Sequence, residues 1–247
     1  MKTTLSIDIG NTSISTGYYI NGEISNPSHF PSKIELENFT FPHISSYIIE
    51  KVVVASVVPE INEPLKNRIL QAGLPAPLFI DHTLNIGIPI HYSTPNKIGA
   101  DRLANAAIAA KTRGLPAVVC DFGTALTFDV LDKEKGYIGG IICPGLPLMF
   151  DYLSEKTALL PHVSPSKTEN IVGSSTEEAM QIGARIGYRG MVREIIQSLQ
   201  KKLDAPNVPI CCTGGYAQWI FDGWDIDAII DPNLTLKGIG LIGSLNP

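Results

Sequence analysis

The chain has 247 residues and a formal net charge of −5, and its basic residues form no run. A chain of this length buries most of the surface of its unfolded state, so it needs no disulfide or metal to hold a core. The acidic balance argues against sequence-independent binding of nucleic acid. Because no apolar run approaches the roughly 18 residues of a membrane span, we expect a cytoplasmic protein that does not bind a membrane.

The spacing of cysteine and histidine points away from metal and redox chemistry. All the cysteines lie in apolar stretches without CxxC spacing, which predicts buried thiols in a reducing compartment. The histidines show no HxxxH or HExxH spacing, so a zinc site is not expected. No GxxxxGK sequence followed by Ser or Thr is present, which excludes a P-loop. The cysteines are Cys120, Cys143, Cys211 and Cys212.

The first predicted element is an antiparallel meander of three strands. Residues Thr4 to Ile9 and Ser13 to Ile20 alternate between apolar and polar side chains, and Asn21-Gly22 is typical of a type I′ hairpin turn. The turn between the first two strands, Asp8 to Thr12, contains a carboxylate, a glycine and a hydroxyl. Backbone N–H groups and a hydroxyl can bind phosphate oxygens, and a carboxylate can hold a hydrated metal ion. This turn therefore predicts a phosphate site.

A loop, a buried strand, a helix and a short strand are predicted next. Residues 25–46 are polar and interrupted by prolines, which predicts a loop with one short helix. Lys51 to Val58 is a nearly continuous apolar run, typical of a central buried strand. Pro59 begins a predicted helix that ends at Gly73, and Leu78 to Ile80 forms a short strand. The first half therefore has the order βββαβ.

An alanine-rich helix is predicted to begin within Gly99 to Asn105. Asp101 lies in its first turn, where the positive end of the helix dipole favours an ionised carboxylate. Two roles are open for Asp101: a helix-capping residue, or a carboxylate that acts on a bound substrate. Spacing alone favours the capping role.

The order of strands and turn repeats in the second half. Strands are predicted again at residues 118–121, 126–131 and 137–142. Aligning the turn that follows the first of them with the earlier turn places Asp121 on Asp8 and Gly123 on Gly10. This self-similarity indicates a duplicated unit whose two turns face one anionic ligand. We expect the two halves to be residues 1–115 and 116–247.

The C-terminal third is predicted to contain helices and strands at 144–160, 176–203, 208–213, 228–230 and 234–245. A break in the long helix is expected near Gly187 or Gly190, and Thr176 lies in its N-terminal cap region. The strand that ends in Thr213-Gly214-Gly215 would let the backbone approach a ligand closely. Gly238 to Gly243 matches GxGxxG by letter, but no acidic residue follows about 20 positions on, so we interpret it as close helix packing.

Taken in order, these motifs resemble those of type III pantothenate kinases, a branch of the acetate and sugar kinase/Hsp70/actin superfamily. The resemblance runs from Ile7 to Gly240. It rests on Asp8-Ile-Gly-Asn-Thr12, Gly99-Ala-Asp-Arg102, Asp121-Phe-Gly-Thr-Ala125 with Thr127, Tyr137-Ile-Gly-Gly140 with Pro144-Gly145, Gly173 with Thr176, Thr213-Gly-Gly215, and Leu234-Thr-Leu236 with Gly238.

The resemblance implies a fold and a reaction. The fold is a duplicated ribonuclease H-like/actin-like ATPase fold, with two mixed five-stranded sheets flanked by helices and a central cleft. The reaction is the phosphorylation of the 4′-hydroxyl of pantothenate by ATP, the first committed step towards coenzyme A. Members of the family are homodimers, and they require magnesium together with a monovalent cation, potassium or ammonium.

The resemblance also implies site residues. The ATP-binding set is Asp8, Ile9, Gly10, Asn11, Thr12, Ser13, Ile14, Ser15, Gly123, Thr124, Gly214 and Gly215. The set that encloses pantothenate is Tyr92, Gly99, Ala100, Asp101, Arg102 and Thr176. Asp8 would hold magnesium through water, and Asp121 would hold the monovalent cation. The resemblance reverses the preference at Asp101, which becomes the catalytic base, and Arg102 would bind the pantothenate carboxylate.

The negative charge expected at the site supports the binding of magnesium and a monovalent cation. ATP would add negative charge to a site that contains three aspartates, and no lysine occurs in these motifs.

Two other functions stay open for the chain. One alternative is a non-catalytic nucleotide-binding regulator, because some family members are described as transcription accessory factors. The other is a related small-molecule kinase, which the short chain disfavours. Retention of Asp8, Asp101 and Asp121 favours catalysis over the regulator.

Overall fold

The computed structural model describes residues 3–32, 39–166 and 170–247. The first half of the chain forms strands β1 (Thr3–Ile9), β2 (Ser13–Ile20), β3 (Glu23–Pro31), β4 (Ile49–Ser56) and β5 (Pro77–Phe79). They make one five-stranded sheet in the order β3-β2-β1-β4-β5. Its helices are α1 (Pro59–Gln71) and α2 (Ala100–Arg113).

The second half forms strands β6 (Ala117–Phe122), β7 (Ala125–Asp132), β8 (Gly136–Pro144), β9 (Ile210–Thr213) and β10 (Ile229–Ile230). They make a second five-stranded sheet in the order β10-β9-β6-β7-β8. Its helices are α3 (Leu146–Lys156), α4 (Thr176–Lys202), α5 (Ala217–Phe221) and α6 (Leu234–Leu245). In the described part of the chain, no helix is both long and apolar enough to cross a bilayer.

The two sheets share one strand order, in which the first strand of each half is central and the fourth and fifth lie on one side of it. This order confirms the predicted duplicated fold with two mixed five-stranded sheets. The central strands β1 and β6 are the ones that end in the two aspartate turns. Duplication therefore gives both turns the same place in their own sheets.

Contacts divide the chain into two compact units. Unit 1 comprises Met1–Ala117, Leu131–Gly139 and Asp231–Pro247, and unit 2 comprises Val118–Val130 and Gly140–Ile230. Helix α6 belongs to unit 1, where it packs against β1 and α2. The predicted division between residues 115 and 116 concerns the two sequence repeats and stays a prediction. It does not describe the packing of α6, which lies in the second repeat but packs in unit 1.

The alternation predicted for β1 is visible in its burial. Leu5, Ile7 and Ile9 share one face, are at most 1% exposed, and pack with Leu65 and Ile69 of α1. Burial of such a side chain contributes roughly 1.5–3 kcal/mol. Helix α6 packs against the first sheet at β1, β2 and β4, and α2 packs against β4. The central strand is thereby fixed by packing as well as by its two neighbouring strands.

Close approach explains the glycines of α6. A Cβ atom at Gly238 would lie 2.0 Å from the carbonyl oxygen of Ala104, and one at Gly240 would lie 2.1 Å from the ring of Tyr19. Any side chain at these positions would push α6 away from α2 and from the sheet. The contacts confirm that the GxGxxG sequence serves helix packing.

One prediction for α4 is wrong. The helix runs without interruption from Thr176 to Lys202, so there is no break near Gly187 or Gly190. Glycine lowers helix propensity by about 1 kcal/mol relative to alanine, but it does not remove a backbone hydrogen bond. Buried side chains along α4, including Tyr188 and Val192, supply packing that offsets this cost.

Other boundaries differ by smaller amounts. The N-cap of α4 is Ser175, whose hydroxyl accepts the N–H of Glu178 at 3.2 Å, and Thr176 is the first helical residue. Helix α3 is shorter than predicted, and α5 was not predicted. The short helix expected within residues 25–46 is a single turn at Ile44–Ser46, and residues 33–38 lie outside the described residues.

The substitution Gly238→Ala is expected to lower the free energy of unfolding by about 3 kcal/mol, because its methyl group would meet backbone atoms of α2 that cannot yield cheaply. Ser244→Ala is the matched control, since Ser244 is exposed on the same helix. Thermal or urea unfolding measures both. Equal stability of the two variants would contradict the close packing of α6 on α2.

Candidate active site

The first turn follows the central strand of its sheet. Asp8 is the penultimate residue of β1 and is partly buried. The N–H of Gly10 donates to the carbonyl oxygen of Ser13 at 2.9 Å, which closes the turn. Asn11, Thr12 and Ser13 are exposed. The turn therefore presents backbone and hydroxyl groups to solvent directly beyond a carboxylate.

Strand β3 anchors the exposed side of this turn. The hydroxyl of Ser32 donates to the carbonyl oxygen of Asn11 at 2.6 Å, and its N–H donates to that of Thr12 at 3.0 Å. The side chains of Ile9 and Ile14 have no exposed surface. Of the predicted ATP-binding residues, these two can therefore contribute only backbone atoms.

The start of α2 reaches the same edge of the first sheet. The N–H of Val57, just after β4, donates to the carbonyl oxygen of Ile9 at 3.0 Å. The Cβ position of Gly99 lies 3.5 Å from Cγ1 of Val57. Because Gly99 is the N-cap of α2, the first turn of that helix lies at the carboxyl ends of β1 and β4. Unit 1 thus brings Asp8 and Asp101 to one edge.

Asp101 combines burial with a helix N-terminus. Its Oδ1 accepts the N–H of Arg102 at 2.8 Å. A Cβ atom at Gly99 would lie 2.4 Å from the same oxygen, so glycine leaves the space that the carboxylate occupies. Burial raises the pKa of Asp101, although the N–H and the charge of Arg102 oppose the shift. The carboxyl group therefore accepts a proton more readily than an exposed aspartate does.

Arg102 is held over an aromatic ring. Its guanidinium carbon lies 5.9 Å from the centroid of the buried Tyr137 ring. Tyr92 contacts the same ring edge to face, with centroids 6.1 Å apart. Gly139 has a φ of 116°, and a Cβ atom there would lie 3.0 Å from the Tyr92 ring. The predicted pantothenate residues Tyr92 and Arg102 are therefore joined through Tyr137.

The second turn joins β6 to β7 and is held by the start of α3. The N–H of Gly145 donates to the carbonyl oxygen of Thr124 at 3.0 Å. A Cβ atom at Gly145 would lie 2.2 Å from that oxygen and 2.4 Å from the carbonyl oxygen of Gly123. Asp121 is partly buried beside the turn. Only glycine at 145 lets α3 begin against the turn in this way.

The double glycine after β9 meets the same turn. Thr213 pairs with Asp121 across the parallel strands β9 and β6. Gly214 has a φ of 89°, and a Cβ atom there would lie within 2.6 Å of the backbone of Phe122. A Cβ atom at Gly215 would meet nothing within 4 Å. Unit 2 therefore brings its predicted nucleotide-binding residues together at the carboxyl edge of its own sheet.

Thr176 is the one predicted pantothenate residue that belongs to unit 2. Tyr92 and Gly99 to Arg102 belong to unit 1. It lines an apolar cavity of about 450 Å³ between α3 and α4, together with Phe150 and Met180. Its assignment to pantothenate stays a prediction.

The predicted cation sites offer oxygen donors from carboxylates. Within the described ranges, no three His, Cys, Asp or Glu side chains cluster as metal ligands. Magnesium at a phosphate site takes most of its ligands from water and phosphate oxygens and needs one or two carboxylates, so Asp8 alone fits this role. Asp121 offers the oxygen donor that a hard monovalent cation requires.

The thiol of Cys120 is buried, which raises its pKa and removes it from thiolate chemistry.

Comparison with known proteins identifies the family. A family model for type III pantothenate kinase matches residues 4–198. The chain belongs to this family. A type III pantothenate kinase of Methylacidiphilum infernorum is 40% identical over 245 residues, which is 97% of this chain and 87% of the relative. One of Akkermansia muciniphila is 45% identical over 197 residues, 80% of this chain and 79% of the relative.

Solved structures support the fold of this kinase family member. A protein described as a Baf family transcriptional activator from Campylobacter jejuni has a TM-score of 0.62 at 20% identity, with 97% of each chain covered. MreB 5 of Spiroplasma citri bound to AMPPNP has a TM-score of 0.50 at 13% identity, covering 99% of this chain and 96% of that chain. At these identities the likeness establishes the shared actin-like ATPase fold.

Two residues of the kinase have roles at the site that its local sequence does not reveal, Tyr137 and Gly145. Tyr137 was noted only as part of a glycine motif, and its contact with Arg102 depends on a packing between β8 and α2 that no local pattern encodes. Gly145 was noted at a helix start, but its role is to let that helix touch the second turn. An aromatic residue just after a hairpin glycine was the one local signal for Tyr137.

Substitution Gly145→Ala in the kinase is expected to raise the KM for ATP on the order of tenfold, because the added methyl group displaces the Gly123 and Thr124 carbonyl groups. Glu155→Ala, at an exposed position of the same helix, is the control and should leave the KM unchanged. Steady-state kinetics at saturating pantothenate measure both. A normal KM for ATP in Gly145→Ala would show that the second turn does not bind the nucleotide.

Proposed function

We propose that the protein transfers the γ-phosphoryl group of ATP to the 4′-hydroxyl of pantothenate, the first committed step towards coenzyme A. The observation that carries the proposal is the meeting of Asp101 and the Asp8 turn at one edge of unit 1, in a member of the type III pantothenate kinase family. A phosphoryl acceptor needs a proton acceptor next to a phosphate-binding turn, and this edge offers both.

ATP is bound by the two repeated turns in this proposal. Backbone N–H groups and hydroxyls of residues 8–15 contact phosphate oxygens in unit 1, and Gly123 and Thr124 do so in unit 2. Gly214 and Gly215 lie against the nucleoside at the end of β9, where a Cβ atom at Gly215 would meet nothing within 4 Å. When bound, magnesium neutralises phosphate charge, which these motifs cannot do themselves because they contain no lysine. Asp8 would hold it through water.

Asp101 acts on the acceptor hydroxyl. The hydroxyl oxygen attacks the γ-phosphorus, the bond from phosphorus to the β–γ bridging oxygen breaks with its electron pair going to ADP, and the hydroxyl proton passes to Asp101. An aspartate cannot ionise an alcohol beforehand, so it orients the hydroxyl and takes the proton late in a loose transition state. Its raised pKa makes it a better acceptor. Activity should fall as pH drops through that raised pKa.

The variant Asp101→Asn is expected to lower kcat by a factor on the order of 10²–10⁴. Asparagine retains an oxygen that can accept the Arg102 N–H, so the fold should persist. Folding raises the pKa of the Asp101 carboxyl group. Its ionisation therefore lowers the stability of the folded state once the pH exceeds the pKa that the group has in the unfolded chain. The asparagine variant avoids this cost, and its unfolding temperature at neutral pH should equal or exceed that of the parent.

A coupled assay of ADP release tests the function and this variant together. The parent should turn over pantothenate and reject a panel of sugars and other hydroxy acids. Near-normal turnover by Asp101→Asn, with unfolding unchanged, would rule out its role as the base. A parent chain that binds ATP but phosphorylates none of the panel would favour the non-catalytic regulator.

A monovalent cation at Asp121 is the second part of the proposal. Potassium or ammonium there would offset the charge that ATP adds beside this carboxylate. Turnover in sodium-only buffer should be on the order of tenfold lower than in potassium buffer, and Asp121→Ala should lose the difference. Equal rates of the parent in the two buffers would contradict this assignment.

A homodimer is the third part of the proposal, and the surface of unit 2 supports it. Large hydrophobic side chains are exposed on and near α3 and α4, at Ile142, Leu148, Tyr152, Leu159, Ile171, Val172 and Ile186. Helix α4 also contains Gly183, Gly187 and Gly190, and a Cβ atom at any of these would meet nothing within 4 Å. Each costs about 1 kcal/mol of helix stability relative to alanine, and no packing among the described residues requires it. Close approach of a second copy would account for both features.

Substitution Gly187→Leu is expected to convert the dimer to a monomer, because leucine fills the space through which the second copy approaches. Leucine is a better helix former than glycine, and a Cβ atom at this exposed position meets nothing within 4 Å, so the folded monomer should be retained. Gln71→Leu, at an exposed position of α1, is the matched control. Light scattering after size exclusion measures the mass, and a dimeric Gly187→Leu would place the interface elsewhere.

A further inference from the structure

We infer that Tyr137 is a positioning residue for the phosphoryl acceptor: its ring holds Arg102 in the orientation that binds the carboxylate of pantothenate. The inference rests on the proposed function. Tyr137 belongs to unit 1 together with Arg102 and Tyr92, although its strand β8 continues into unit 2.

Burial of both side chains strengthens the contact between the Tyr137 ring and the Arg102 guanidinium. Arg102 is 9% exposed and Tyr137 has no exposed surface, so the guanidinium is held in a desolvated environment. An arginine side chain has several rotatable bonds, and ordering it at the moment of ligand binding costs affinity. Over an aromatic face, the charge interacts with the ring while the N–H donors stay at the edge of the guanidinium plane. A cation–π contact with the ring and bidentate binding of a carboxylate therefore do not compete.

Backbone bonds on both sides fix the ring itself. The N–H of Tyr137 donates to the carbonyl oxygen of Pro89 at 2.9 Å, and its carbonyl oxygen accepts the N–H of His91 at 2.8 Å. These bonds form a bridge between Ile90 and Tyr137. The same bridge ties down the segment that ends in Tyr92, whose ring contacts the ring of Tyr137. Because backbone atoms make this bridge, a substitution of the Tyr137 side chain leaves the segment in place and acts on Arg102.

A purely structural role would also explain a buried tyrosine, and the two roles differ in what they predict. A core residue affects folding and all substrates alike. A ring that aims Arg102 at a carboxylate affects only ligands that carry the carboxylate. Pantothenol offers this contrast, because it keeps the 4′-hydroxyl and has an alcohol in place of the carboxylate.

The experiment measures KM and kcat of the parent, Tyr137→Leu and Tyr137→Phe with pantothenate, with pantothenol and with ATP. We expect Tyr137→Leu to raise the KM for pantothenate on the order of tenfold, with kcat and the KM values for ATP and pantothenol changed by about twofold or less. Tyr137→Phe should restore the parental KM, because the ring and not its hydroxyl holds the guanidinium. Tyr137→Met repeats the loss of the ring if the leucine variant unfolds.

The outcomes separate the inference from the function beneath it. Equal rises in KM for pantothenate and pantothenol would overturn the positioning role, as would a Tyr137→Phe variant that behaves like Tyr137→Leu. Turnover of pantothenate by the parent alongside either result would leave the proposed function intact. No turnover of pantothenate by the parent would overturn the function and the positioning role together.

Discussion

Close backbone approach at the second turn is the constraint on which unit 2 depends. Gly145 and Gly214 each bring another segment against residues 122–124 more tightly than a side chain would permit. Three segments that are distant in sequence, the end of β6, the start of α3 and the end of β9, therefore meet at one sheet edge. These two glycines shape the turn that we propose as a phosphate site, and in that proposal bound cations supply the positive charge.

Unit 1 reaches a similar result with different contacts. Its turn is closed by the Gly10 to Ser13 hydrogen bond and anchored by Ser32, and α2 arrives at the same edge through Val57 and Gly99. The helix contributes the partly buried carboxylate of Asp101, and the loop before it contributes Tyr92, whose ring contacts Tyr137 of β8. Duplication thus supplies two comparable turns, and the proposal assigns the acceptor chemistry to residues of unit 1 and the nucleoside contacts to residues of unit 2.

Much of this could be predicted because it is local. The alternation of β1, the Asn21-Gly22 hairpin and the full extent of α6 follow from periodicity and turn chemistry, and the repeated turn predicted the duplicated sheets. The motif residues resemble those of the type III pantothenate kinases, the family to which the chain belongs. The failures are nonlocal. Glycines suggested a break in α4 that packing prevents, and the contact of Tyr137 with Arg102 joins residues whose proximity depends on the tertiary fold.

The central proposal is that the repeated turns contribute to nucleotide binding, and amide hydrogen exchange with and without magnesium AMPPNP tests it most directly. Binding should slow exchange in the exposed segment Asn11–Ser13 and, in the same experiment, at Gly123 and Thr124. Slower exchange at only one of the two turns, or at neither while AMPPNP is bound, would contradict the proposal.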